Sequence, residues 1–148
     1  MKRTWMGLAA AAMLAAGGTA RAQMQETLWQ ADQIQYAQAV PGAKRAVLWG
    51  DSANGAFGGL VRFDPNVKHG LHRHTSDVKI VVIAGEFMYA HKGEAPKMYG
   101  AGSYLLIPGG LEHDSGSGAM GCQFFEEWSG KFDMIPSAPP AAPMNKKK

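Results

Sequence analysis

From Gln23 onward the chain is a series of short apolar runs separated by Gly, Pro, Asn and Asp, and no segment sustains the spacing of an amphipathic helix. The runs predict strands over residues 45–49, 57–63, 71–74, 78–84, 86–91, 97–99, 103–108 and 121–128. Turn-forming clusters punctuate them: Gly50 to Gly55, Asp64-Pro65-Asn66 and Gly109-Gly110. Residues 31–38 are expected to form one helical turn. Many short strands at close spacing predict an all-β sandwich, jelly roll or barrel.

One run departs from simple alternation. Val78-Lys-Ile-Val-Val-Ile-Ala84 is apolar at every position except Lys79. A strand with one wetted face alternates, so this one is expected to be covered on both sides, by the barrel interior and by a second layer or a partner subunit. A homodimer is the corresponding expectation. Lys79 shares its parity with Val81 and Ile83.

The ends of the chain read differently. Lys2 and Arg3 precede an apolar run from Met6 to Ala16, and Ala20-Arg21-Ala22 supplies a small-residue cleavage pattern. This is the pattern of a secretory signal peptide over residues 1–22, and its run is too short for a stable membrane span. It predicts a periplasmic or secreted protein, cleaved near Ala22. Residues 23–44 then form an N-terminal arm, 45–135 the folded domain, and 136–148 a Pro/Ala/Lys tail too poor in apolar surface to fold.

Charge adds mainly an exclusion. Of the 15 basic residues, three lie in the leader, which leaves 12 against 12 acidic residues. No basic patch points to nucleic acid. Cys122 is the only cysteine, so an internal disulfide is excluded; on an apolar strand it reads as a small core residue.

The candidate chemistry lies in histidines. His72 and His74 are two apart, so on a strand they face the same way. His113 closes the segment Gly102-Ser-Tyr-Leu-Leu-Ile-Pro108-Gly109-Gly110-Leu-Glu-His113. A third imidazole from a neighbouring strand would complete a three-nitrogen shell for a divalent metal. His69, beside a turn, and His91, at a hairpin end, are expected to be solvated. Tyr89, Tyr104, Phe124 and Trp128 are candidates for a cavity lining, although aromatics in a small barrel commonly serve as plain core.

These elements together resemble the cupin superfamily. Its first motif runs Gly, five residues, His-x-His, three or four residues, Glu, six residues, Gly, and it is matched at His72, His74 and Gly85, with Asn66 in the leading Gly position. Its second runs Gly, five residues, Pro-x-Gly, two residues, His, three residues, Asn. It is matched at Gly102, Pro108, Gly110 and His113, with Ser117 in place of Asn. The flanking segments Ala46 to Asp51, Val81 to Gly85 and Gly130 to Asp133 resemble small single-domain bacterial cupins of the ChrR-like branch. The resemblance implies a double-stranded β-helix with His72, His74 and His113 as metal ligands. It implies no particular reaction.

The motif Glu is missing: Val78 or Lys79 occupies its slot, depending on spacing. Asp77, Glu86, Glu94 and Glu126 are candidates for a fourth ligand. Lys79 and Glu126 are the candidates for a charge or proton role, with Lys79 alternatively pairing with Asp77 or Glu126. Glu112 and Asp114 flank His113 and are candidates to orient its ring. The expected function is a metal-dependent enzyme, dioxygenase-like or a lyase or isomerase, with Fe(II), Zn or Mn and a small-molecule substrate. The alternative is a non-catalytic module that binds a small ligand or a metal.

Overall fold

The structure, a computed structural model, describes residues 26–137. The expected leader over residues 1–22 and most of the tail lie outside the described residues. Among the described residues no helix is long and apolar enough to cross a membrane. Nine strands form one sheet: β1 (Ala37–Val40), β2 (Ala43–Gly50), β3 (Phe57–Phe63), β4 (His72–Arg73), β5 (Val78–His91), β6 (Lys97–Gly100), β7 (Tyr104–Ile107), β8 (His113–Trp128) and β9 (Ile135–Pro136).

Every pairing is antiparallel, and the two long strands organise the rest. β5 and β8 pair from Val78 opposite Trp128 to His91 opposite His113. The later half of β8 also pairs with β3, while its start pairs with β4. β6 and β7 complete the other side of β5. The sheet curls so that its inward faces meet in a single apolar core.

Phe57 is fully buried there and stacks on Trp128 at 5.9 Å between centroids. Burying a side chain of this size stabilises by roughly 1.5–3 kcal/mol. Val61 and Phe124, partners across β3 and β8, fill the adjoining layer.

The two strand segments expected at 78–84 and 86–91 are one continuous strand. Gly85 explains how both patterns coexist on it. Val78, Ile80 and Val82 point inward before it, whereas Phe87 and Tyr89 do so after it. The pairing shifts register between Val82 and Ala84 and again between Gly85 and Phe87. Gly85 has φ +69° and Gly121, on the partner strand, φ +71°. A Cβ on Gly85 would meet the Gly121 carbonyl oxygen, so the inversion requires glycine here.

Two expectations change. Residues 31–38 hold no helical turn: a turn at Ala31–Gln33 leads into β1, because Ala37 and Gln38 find backbone partners on Arg45 and Lys44. The arm thus ends inside the sheet. Among the described residues no second layer covers the outer face of β5, which leaves the partner-subunit alternative of that expectation untouched. Val81, Ile83, Tyr104 and Leu106 are 41%, 46%, 59% and 54% exposed. Cross-strand pairing sets Tyr104, Val81, Phe125 and Leu60 in a row over that face.

Candidate metal centre

The histidines converge because β4 and β8 pair at one point, His72 opposite His113. His74 follows on the same side. The turn at Pro108–Gly110 is tied to it: the Gly110 amide donates to the His74 carbonyl at 2.7 Å, with Gly110 at φ +82°. The Asp77 carboxylate accepts from the Gly109 amide at 2.7 Å. The loop that delivers His113 is therefore fastened to the segment that carries His74. All three rings are buried. One nitrogen from each lies within 4.8 Å of the others. Around one zinc ion, with Zn–N of about 2.1 Å, they would stand about 3.4 Å apart, a closure on the order of 1 Å.

Backbone acceptors fix the rings. Nδ1 of His72 lies 2.7 Å from the Gly70 carbonyl, Nδ1 of His74 2.5 Å from that of Asp133, and Nδ1 of His113 2.9 Å from that of Leu111. A carbonyl only accepts, so each Nδ1 carries the proton and each Nε2 keeps its lone pair. Nε2 of His72 is buried without a hydrogen-bond partner in the structure. Such an orphan is what a ligand atom looks like before its ion is added. Three imidazole nitrogens suit Zn, Fe, Cu or Ni, so the residues fit a divalent transition metal.

Burial is the main electrostatic influence. It pushes His74 and His113 down to about 4, against the stabilising pull of the Asp133 and Leu111 carbonyls, and lowers His72 as well. The triad is therefore neutral at physiological pH, the state a metal requires. Asp133 has a second part. Its carboxylate accepts from the Thr75 amide at 2.8 Å and from the Thr75 hydroxyl at 2.5 Å, which pins the strand end that bears His74.

The rings form one end of a cavity of about 480 Å³ of non-atom space, part of it open solvent. Trp128 meets the His74 ring edge-on at 4.8 Å, and Tyr89 stacks on His113 at 5.3 Å. Arg45 and Glu126 form another part of the wall and are paired, Arg45 Nε donating to Glu126 Oε1. Burial pushes the Glu126 carboxyl above the usual carboxylate range, and the Arg45 charge opposes that shift.

The sequence profile of the ChrR Cupin-like domain matches residues 24–129. The chain belongs to this cupin family. No curated protein sequence matches it. Among solved structures, this cupin is similar to the polyketide cyclase RemF from Streptomyces resistomycificus (TM-score 0.65, 15% identity, covering 80% of this chain and 90% of that one). It is also similar to KdgF from Halomonas sp. (TM-score 0.61, 17% identity, 74% and 97% covered). A third is the DMSP lyase DddQ from Ruegeria pomeroyi DSS-3 (TM-score 0.59, 16% identity, 74% and 64% covered). At these identities the likeness establishes the fold, the cupin double-stranded β-helix.

Other expected site residues of this cupin are scattered. Lys79 points outward and pairs with Glu127 at 2.7 Å, not with Asp77 or Glu126, because residue 79 falls on the outer parity of β5. That position removes it from the cavity. Asp77, Glu86 and Glu94 are exposed, and of the four candidate carboxylates only Glu126 reaches the cavity wall. Among the described residues, the metal-capable cluster comprises the three histidines alone. Glu112 pairs with Lys92 at 2.6 Å instead of orienting His113.

His91 is exposed, whereas His69 is not simply solvated: it lines the cavity with both ring nitrogens buried, its ring edge-on to Phe63 at 4.7 Å. Tyr104 lies on the outer face, and Phe124 belongs to the core. Arg45 is the wall residue that the pattern did not reveal. Its partner is 81 positions away, and no local signal marks such a pair.

Proposed function

We propose that this cupin is a metal-dependent enzyme acting on a small organic substrate by proton transfer, as a lyase or isomerase. His72, His74 and His113 would hold a divalent ion through Nε2, and Glu126 would carry the proton. One observation supports this above the others: three rings, each with Nδ1 tied to a backbone carbonyl, bring one ligand nitrogen apiece within 4.8 Å of one another. When bound, the ion supplies Lewis acidity, or activation of water or dioxygen, at its open positions.

The chain's own residues supply the rest. Trp128, Tyr89 and Phe132 wall the rings with apolar surface and limit water. A carboxyl held above its usual range exchanges protons closer to neutral pH, which suits a general acid or base. That group favours proton transfer over the dioxygenase-like alternative. A cyclase and a lyase among the similar structures are compatible with this preference.

The test measures metal by mass spectrometry on the purified chain. It then follows small hydroxy acids and enolisable ketones by NMR, with an oxygen electrode in parallel. Stoichiometric metal and turnover without oxygen uptake support the proposal. Turnover tied to oxygen uptake replaces it with a dioxygenase, and metal without turnover leaves a binding module. Failure to take up metal after reconstitution overturns it. Export, read from residues 1–22, belongs to the same proposal and is tested by the intact mass of the exported protein. So does a homodimer, for which the exposed row on β5 and β7 gives support and sedimentation gives the test.

A further inference from the structure

We propose that Arg45 is the anion-recognising wall of the cavity, and that the substrate carries a carboxylate which reaches Arg45 while its reacting end faces the triad. This rests on the metal-dependent reading above and names the substrate class for it.

Arg45 sits on β2 with its side chain 11% exposed, facing the same cavity as the three rings. A guanidinium carries five N–H donors in one plane. The side-chain hydrogen bond it makes among the described residues runs from Nε to Glu126. Among the described residues the terminal amino groups make no hydrogen bond, and part of the side chain remains accessible.

Two aromatic faces hold the guanidinium. Its carbon lies 3.9 Å from the centre of Phe132 and 5.4 Å from that of Phe57. Phe132 in turn lies 6.0 Å from the His74 ring, so the held cation is two contacts from the triad. Cation–π contact occupies the faces of the plane and leaves its N–H edge free. A carboxylate matches that edge with two parallel hydrogen bonds.

Charge bookkeeping agrees. Even where an ionised Glu126 cancels Arg45, a divalent ion bound by uncharged imidazoles leaves the cavity cationic. An anion is then the ligand whose desolvation is offset from both ends. If Arg45 served only as counter-ion to Glu126, its loss would affect folding and nothing else.

The experiment uses the full chain loaded with zinc, with succinate as probe and neutral succinamide as control. Binding is read by titration calorimetry and metal content on the same samples. The proteins are the wild type, Arg45→Met and the double variant Arg45→Met/Glu126→Leu. The double variant removes both halves of the buried pair and keeps the comparison readable if the single variant does not fold. Succinate is expected to bind the wild type at least tenfold more tightly than either variant, at equal zinc content, and succinamide to show no such difference.

Equal succinate affinity in wild type and double variant overturns the assignment, as does a wild type that does not prefer succinate to succinamide. The two readings separate cleanly. Zinc at full occupancy with no dependence on Arg45 sinks this inference alone. Absence of zinc, with succinate binding still lost on replacing Arg45, sinks the metal enzyme and leaves the anion site standing.

Discussion

Acid should destabilise the metal-free protein as its buried imidazoles are driven to take up protons. His74 and His113 have their pKa values lowered from 6.5 to about 4, chiefly by burial. Between those values the unfolded chain binds more protons than the folded one, so stability falls as pH falls. The contribution is intact above about pH 6.5 and is lost progressively toward pH 4. One pKa unit corresponds to about 1.36 kcal/mol, so each ring costs about 2 kcal/mol between pH 7.5 and 5.0, and the two cost about 4 kcal/mol. His72 acts in the same direction. Glu126 acts in the opposite one, because its raised carboxyl takes up a proton more readily in the folded state.

Urea unfolding followed by circular dichroism, after removal of metal with a chelator, reads the difference. With a slope of about 2 kcal/mol per molar urea, the midpoint should drop by about 2 M across that interval. The variant His74→Gln/His113→Gln should lose most of this pH dependence. A midpoint that moves by less than about 0.5 M in the wild type, or moves equally in the variant, would refute the account of the rings as buried neutral bases.

Three further outcomes are expected. A divalent metal at about a hundredfold its dissociation constant should stabilise the protein by about 2.7 kcal/mol, raising Tm by about 5–10 °C in differential scanning fluorimetry, and His72→Ala should abolish the rise. Gly85→Ala places a side chain at φ +69° and against the Gly121 carbonyl, so it should cost upward of about 2 kcal/mol in chemical denaturation. Lys79→Ala removes an exposed ion pair on the outer face and should leave metal content unchanged; a metal deficit in that variant would contradict the placement of Lys79 outside the cavity.

The histidine spacing was legible because strand geometry is regular: two residues apart means one face, and Pro108 to Gly110 marks the turn that returns the third ring. Strand β3 was legible in full, since Phe57–Phe63 has turn residues on either side. The first half of β8 was not. His-Asp-Ser-Gly-Ser-Gly-Ala-Met carries no apolar alternation, and it becomes a strand only because Tyr89 and Ala90 of β5 lie opposite Ser115 and Asp114. β1 and β9 are equally short of local signal and exist as partners of β2 and β4. In the sequence Arg45 is only the first residue of a short expected strand, with nothing to mark its side chain. Only the register that sets it opposite Val61, and so over the interior, reveals that it points in.

The facing glycines of β5 and β8 have a consequence for how the chain tolerates changes of length. Upstream of Gly85 the even-numbered Val78, Ile80 and Val82 join the apolar core, and downstream the odd-numbered Phe87 and Tyr89 do. Deleting a single residue within either long strand, away from any histidine, would leave the ladder of amide bonds drawable but exchange inside for outside along everything beyond it. Core side chains would go to water, and the buried Ser115 and Ser117 would leave the interior. The architecture of the site is thus guarded by counting as much as by chemistry, and a stretch with no reactive group of its own is where a one-residue slip does the widest damage.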